Sequence, residues 1–506
     1  MDKSNRPTAK EKEIFKKFAK DLESEKLIKG ELQFTDLTNC IYFLKMYGDE
    51  IRYHVTIDRF LQWDGNYWKT CQKKDVEYLC MKFINKLYYM HRFIDDQAIQ
   101  EKFEKHLKNC ESFRRFQVLI GYLKNTQPII VGDEDLNKDN YLLNINGLTL
   151  NLKTGKANPP NPKHLITKKS NFVFVKEAKC PTWDLFLMQI FNKDIPLIHY
   201  IQKAMGYSLC GETSEQCMFI LWGSGANGKS TFLNTILKLM GDYACNTGIE
   251  TFMKKNTGQS NDLARLKGTR LVITSEAEQG QLLSESLIKV VTGEDNITAR
   301  FLYGEYFSFA PTFKIFMATN HMPKIHGADN GIWRRVKMIP FNVTIPPEQR
   351  DKELPQKLLA ENSGILNWLL QGYASWKKER LLEEPPVMKN ANEMYRMDMD
   401  SVGTFMAECF DYDASNKLRI TTKQLYDTYL KWCTKNNERV MTQKWLSMRV
   451  FEKGFQRKRT NGQPLWLGLI LGMNGGYRIA HTIKRDTKQG APKPGHRGEL
   501  EAFFTC

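Results

Sequence analysis

CMFILWGSGANGKSTFLNTILKLM, residues 217–240, is the stretch on which the fold turns. Cys217 to Trp222 is an apolar run closed by a glycine, as in a buried strand. Ser230 to Met240 repeats its apolar residues at helical spacing. Between them Gly223, Ser224, Gly225, Ala226, Asn227, Gly228, Lys229, Ser230 and Thr231 fill the pattern G-x-x-x-x-G-K-[ST] at every defined position. Glycines let the backbone curl so that several N–H groups converge on a phosphate. The helix N-terminus adds its positive dipole end. The loop therefore points to ATP with Mg2+, with Lys229 bridging the β- and γ-phosphates and the Ser230 hydroxyl on the metal. A chance glycine turn does not supply both flanks.

Working outward, hydrolysis requires carboxylates at the tip of a neighbouring strand. Arg270 to Ser275 is apolar and β-branched, and Glu276 follows it at once, with Glu278 two residues on. Either one suits the role of base or of Mg2+ partner, and the spacing does not separate them. A third strand, Phe313 to Ala318, ends in Thr319 and Asn320, where an amide can orient water or sense the γ-phosphate. Arg334 and Arg335 follow Trp333. A guanidinium there suits the transferring phosphoryl group if a neighbouring subunit donates it, though the pair taken alone reads more readily as a surface cluster beside an apolar strand. Ile297 to Phe309 alternates and turns at Gly304, the pattern of a hairpin. Inside a ring such a hairpin reaches the channel, with Arg300 or Lys289 on phosphate and Phe301 or Tyr303 on a base. At a subunit interface the same hairpin would simply pack.

The 506 residues suffice for several domains. The divisions read from the sequence are a charged tail or solvated helix at 1–33, a mixed α/β domain at 34–180, an α/β core at 181–375, a linker at 376–400, helices followed by a basic hairpin at 401–480, and a flexible tail at 481–506. In the second of these, Ile51 to Thr70 alternates like strands around an Asp64-Gly65 turn, and residues 74–124 have helical spacing. The net charge of +17 favours a polyanionic partner. From Ser401 onward there are 18 Lys+Arg against 9 Asp+Glu, which concentrates the excess at the C-terminal end. The eleven cysteines form no CxxC pair, so free thiols in a reducing compartment are expected, and no zinc site. No apolar run approaches the length of a membrane span, and the first residues lack a signal core. A cytoplasmic protein without membrane association is expected.

These motifs, in this order, resemble the superfamily 3 helicases, and more narrowly the phage/plasmid primase family that includes the poxvirus primase-helicase. Ser286 to Arg300 resembles the family's B-prime motif. Lys314 to Pro323 resembles motif C, with Asn320 as sensor. Trp333 to Phe341 resembles the arginine-finger segment. The resemblance implies an α/β fold with an AAA+-like P-loop NTPase core, an N-terminal mixed and helical domain, and a C-terminal winged-helix-like domain. It also implies a homo-hexameric ring of a mobile genetic element that binds single-stranded and forked double-stranded DNA and unwinds the duplex 3′-to-5′. ATP would lie between subunits, with Lys229, Ser230, Glu276 and Asn320 on one side and Arg334 or Arg335 on the other. Residues before 34 are too few for the primase domain that many members carry, so a separate primase or DNA polymerase is an expected partner. An ATP-dependent origin-binding protein and a packaging or remodelling ATPase are the competing readings.

Overall fold

In the computed structural model, the residues described are 7–29, 34–254, 261–275, 280–302, 304–325, 330–413, 416, 418–436, 438, 440–460 and 463–472. The chain divides into two compact units, residues 1–393 and 394–506.

The first unit begins with helices α1 (Ala9–Lys29) and α2 (Asp36–Tyr47), strands β1 (Ile51–His54), β2 (Arg59–Trp63) and β3 (Trp68–Thr70), and helices α3 (Lys73–Met90), α4 (Gln97–Cys110) and α5 (Phe113–Lys124). Strand β4 (Ile130–Val131) completes a sheet of order β3-β2-β1-β4. The Asp64 carboxylate accepts the N–H groups of Asn66 and Tyr67, which fixes the β2–β3 turn that the Asp-Gly pair predicts. The segment before residue 34 is not a solvated tail. Phe15, Phe18 and Ala19 on α1 are core residues, and Phe18 stacks on Tyr42 at 4.2 Å between ring centroids. Its lysines and glutamates occupy one side, and so mask the buried stripe in a reading by composition. Phe15→Ala is expected to cost about 3–5 kcal/mol in urea denaturation, whereas the same change in a tail would shift stability by no more than about 0.5 kcal/mol.

A second sheet follows, of β5 (Leu142–Ile145), β6 (Leu148–Asn151) and β7 (Lys156–Asn158). Sequence division placed these strands in the preceding domain. Leu143, Ile145, Leu150, Leu152 and Phe172 instead share one core with the strand and helix of the glycine loop, so the change of core falls before Leu142 rather than at 180. Helices α6 (Pro181–Ile190) and α7 (Ile195–Tyr207) lead into β8 (Met218–Trp222) and α8 (Lys229–Met240). Then come β9 (Ala244–Gly248), α9 (Asn261–Ala264), β10 (Leu271–Ser275), α10 (Glu285–Val291), β11 (Ile297–Ala299), β12 (Phe307–Phe309), β13 (Lys314–Thr319), α11 (Asn330–Trp333) and β14 (Val336–Pro340). Five of these strands form a wholly parallel sheet of order β14-β8-β13-β10-β9. Such a sheet is buried on both faces, which is why β8 and β13 read as continuous apolar runs. Helix α12 (Leu354–Ala360) packs on α8 and α6, and α13 (Asn362–Glu379) packs on α7, where Gly372 and Gly206 bring the two helices into backbone contact. The division between the two units falls within the stretch 376–400, as a linker there predicts, but the stretch is helical and partly buried rather than open: α14 (Pro386–Asp398) places Met388 in the same core, and Tyr395 is fully buried.

Two cations lie buried where β10 and β13 begin, at the end of the sheet away from the glycine loop. Arg270 donates to the carbonyls of Leu209 (2.5 Å) and Leu142 (2.6 Å), and Lys314 to those of Cys210 and Glu212 (3.0 Å). They tie down the segment that follows α7, and the second arm of Arg270 joins it to the start of β5. Burial pushes the Lys314 ammonium down to about 8. Because that lies below the ordinary 10.5, the favourable contribution of this group is present above pH 10.5 and lost as pH falls through about 8. The stability of the parent relative to Lys314→Met is therefore expected to rise between those two values in urea titrations. A pH-independent difference would contradict the shift.

The second unit contains α15 (Ser401–Cys409), β15 (Phe410–Tyr412), β16 (Arg419–Thr421), α16 (Thr422–Asn436), α17 (Gln443–Glu452), β17 (Arg457–Thr460), β18 (Gln463–Leu467) and β19 (Leu469–Leu471). Its core joins Phe405, Tyr429, Trp432, Leu446, Val450 and Trp466. The three helices and the β17–β18 hairpin agree with the sequence reading. The pairing of Thr460 with Gln463 brackets the Asn-Gly turn, which itself lies outside the described residues, as does the predicted tail at 481–506. The short strands β15, β16 and β19 were not foreseen, since three-residue strands carry no readable period.

Candidate active site

Strand β8 ends at Trp222 and the chain turns at once into the glycine loop. Gly225 (φ 107°) and Gly228 (φ 84°) adopt positive φ, which a side chain resists. A Cβ on Gly228 would also come within 2.5 Å of Ile190 on α6, so the loop is both turned and pressed against its neighbour. The loop is pinned from the β14 side: Phe341 N–H donates to the Trp222 carbonyl (2.7 Å), Ile345 N–H donates to the Ala226 carbonyl (2.8 Å), and the Asn227 amide donates to the Phe341 carbonyl (3.3 Å).

Lys229 opens α8 with its side chain only 6% exposed. Its ammonium donates to the Gly223 carbonyl (2.8 Å), to Asn227 Oδ1 (3.0 Å) and to Asn320 Oδ1 (3.1 Å). Desolvation lowers its pKa. The sequence placed Lys229 and Asn320 in separate motifs. The parallel pairing of β8 with β13, Trp222 opposite Thr319, brings them into direct contact. Thr319 fixes the turn that presents Asn320: its hydroxyl donates to the His321 carbonyl (2.6 Å) and accepts the His321 N–H (3.0 Å). Ser224, Ala226 and Ser230 are exposed on the loop, Gly225 and Thr231 half-buried.

Strand β10 runs beside β13 and reaches Ser275, opposite Ala318. Glu276 and Glu278, the proposed carboxylates, lie outside the described residues. The strand pairing nonetheless carries the chain to the edge of the sheet that bears Lys229 and Asn320.

The two arginines part company. Arg335 is buried, donating to Thr292 Oγ1 (3.2 Å) and the Gly331 carbonyl (2.7 Å) within its own chain. Arg334 is exposed, with a hydrogen bond to Gln216 (2.8 Å). Both precede Val336, which pairs with Met218 at the start of β8, while the glycine loop follows the other end of that strand. Five strand residues separate the two edges, roughly 16 Å. Neither guanidinium is on the side of its own glycine loop, and Arg335 is committed to internal bonds, which leaves Arg334 as the one presented to solvent.

The hairpin forms as expected, with Ala299 opposite Phe307. At its tip Phe301 is 45% exposed, and the Arg300 guanidinium lies over the Tyr306 ring at 4.9 Å. Tyr303 lies outside the described residues. Lys289 is half-buried on α10, away from the hairpin in sequence. Sequence reading passed over Asn227 as a contact between Lys229 and Phe341, and it overlooked Tyr306 altogether; the alternating pattern through Phe309 was the available signal for the latter. No group of three or more metal-ligating side chains occurs among the described residues.

Residues 40–192 match the family described as D5 N terminal like, residues 221–335 a family of unknown function (DUF5906), and residues 397–466 the family described as Poxvirus D5 protein-like. The chain is similar to a putative helicase of Acanthamoeba polyphaga mimivirus, 27% identical over 326 residues, covering 60% of this chain and 34% of that protein. It is also similar to a putative primase of African swine fever virus, 21% identical over 333 residues, with the same 60% and 34% coverage. The chain thus spans about a third of the length of the curated relatives it matches. Among solved structures, the apo structure of the NrS-1 C-terminal region aligns with 86% of this chain and 99% of its own at 10% identity, TM-score 0.47. No helix among the described residues is long and apolar enough to cross a membrane.

Proposed function

We propose that the chain is an ATP-driven replicative DNA helicase of a viral or other mobile element, with an AAA+-like core of the superfamily 3 kind, working as a hexameric ring that travels 3′-to-5′. The observation that carries this reading is the contact of Lys229 with Asn320 at one edge of a parallel sheet whose opposite edge presents Arg334. The residues fit Mg2+·ATP. The loop offers backbone N–H groups at the start of α8, an ammonium held by three neutral oxygens, and an exposed Ser230 hydroxyl suited to the metal. Phosphate oxygens would replace those three acceptors. Bound metal supplies charge neutralisation at the phosphates. Asn320 holds Lys229 on one side and is free on the other to position water. Glu276 or Glu278 would accept the proton of that water. Arg334 of a neighbouring copy would meet the γ-phosphoryl group, which ties turnover to ring assembly.

DNA-stimulated ATP hydrolysis and separation of a forked duplex by the full chain test the proposal, with 3′- and 5′-tailed substrates reporting polarity. Absence of turnover with or without DNA would sink it. A second reading, an origin-binding protein, is favoured by the second unit, whose three helices are followed by a hairpin with an exposed basic strand. Equal affinity for origin and random DNA would remove it. A separate primase or DNA polymerase remains a proposed partner.

A further inference from the structure

Helix α17 has two unlike faces. Leu446 and Val450 are fully buried in the core of the second unit. Trp445, Met448 and Phe451, three residues apart along the other side, are 58%, 41% and 64% exposed. Spacing by three keeps these side chains on one arc of the helix, and from first to last they rise about 9 Å along its axis. A short turn at Gly454 (φ 92°) then leads into β17, where Arg457, Lys458 and Arg459 are all exposed. An apolar, aromatic stripe is thus followed in the chain by three exposed cations whose side chains alternate across β17, with Arg457 over the Trp466 ring at 5.9 Å.

We infer that the Trp445–Met448–Phe451 stripe is a stacking platform for the unpaired bases of single-stranded DNA, with Arg457, Lys458 and Arg459 on its phosphates. This rests on the chain being a DNA-processing protein and not on its being an ATPase. The cations select a polyanion over an apolar protein surface. The stripe selects unpaired bases over a duplex. Base edges in a major groove are read by side chains rich in donors and acceptors, and here one indole N–H is all the stripe offers. Unpaired bases expose their π-faces, on which aromatic side chains stack without regard to sequence. The helix that precedes the hairpin is therefore suited to engage the opened strand at a fork rather than a specific duplex site.

The full chain, without nucleotide and at fixed salt, is titrated against a labelled oligothymidylate and a blunt duplex of equal length, read by fluorescence anisotropy. W445A/F451A is expected to weaken oligothymidylate binding about thirtyfold while changing duplex binding less than about threefold. W445F, which retains a ring, should bind nearly as the parent does. R457A/K458A/R459A should weaken both and lower the single-strand salt slope by about 2. Parental oligothymidylate affinity in W445A/F451A would overturn the inference. So would a loss of self-association in sedimentation at unchanged DNA affinity, which would mark the stripe as a protein-docking face. ATP turnover of the same variants should equal the parent's; a parent that lacks turnover would refute the helicase proposal while leaving the binding result intact.

Discussion

Lys229→Ala is expected to lower DNA-stimulated ATP turnover on the order of a hundred- to a thousandfold and to abolish strand separation, with the fold retained. The size follows from the geometry. The ammonium is almost wholly buried, so its charge acts in a medium of low effective dielectric. Its three acceptors, Gly223, Asn227 and Asn320, hold it where the β- and γ-phosphates of the proposed ligand would lie. Removal also frees Asn320 from its partner, so positioning of water fails together with phosphate binding. Steady-state ATPase with and without oligonucleotide measures the loss, and thermal melting without nucleotide separates it from unfolding. Since the ammonium is desolvated in the free protein, the variant should melt no lower than the parent by more than a few degrees. Undiminished turnover would remove the glycine loop from the chemistry.

Arg334→Ala is expected to cost a thousandfold or more, in the range of about 10³–10⁵ seen when an arginine is withdrawn from a transferring phosphoryl group. It should do so without loss of stability, because the side chain is exposed and its partner Gln216 also lies within reach of Arg335. Arg335→Ala should behave in the opposite manner, lowering the melting temperature, because its guanidinium serves Thr292 and the Gly331 carbonyl in the interior. The decisive measurement is complementation. Each proposed site takes Lys229 from one copy and Arg334 from the next, as in a head-to-tail ring. Equal mixing of the two inactive variants therefore restores about one quarter of the interfaces. Recovery near that fraction after subunit exchange supports donation across the interface. A mixture as inactive as its components would place Arg334 outside the site.

The sequence by itself determined the glycine loop and the elements on either side. That signal is local: a buried strand, a turn with Gly225 and Gly228 at positive φ, and a helix N-terminus lie within 24 consecutive residues. The β11–β12 hairpin, the β2–β3 turn and the order of helices in the second unit were legible for the same reason, since periodicity and turn chemistry are properties of neighbouring residues.

Only the tertiary structure decided which residues meet. The order β14-β8-β13-β10-β9 places Asn320 against Lys229, 91 residues away, and sends Arg334 to the far edge of the sheet. It separates Arg334 from Arg335, adjacent in sequence and alike in chemistry, into one exposed and one buried side chain. It draws α1 and α14, whose composition suggested tail and linker, into cores through Phe15, Phe18 and Met388. The physical reason is common to all of these. Strand pairing and burial are long-range outcomes of closing chain loops around a shared apolar interior, and no short window of sequence records which partner a strand or a helix face will find.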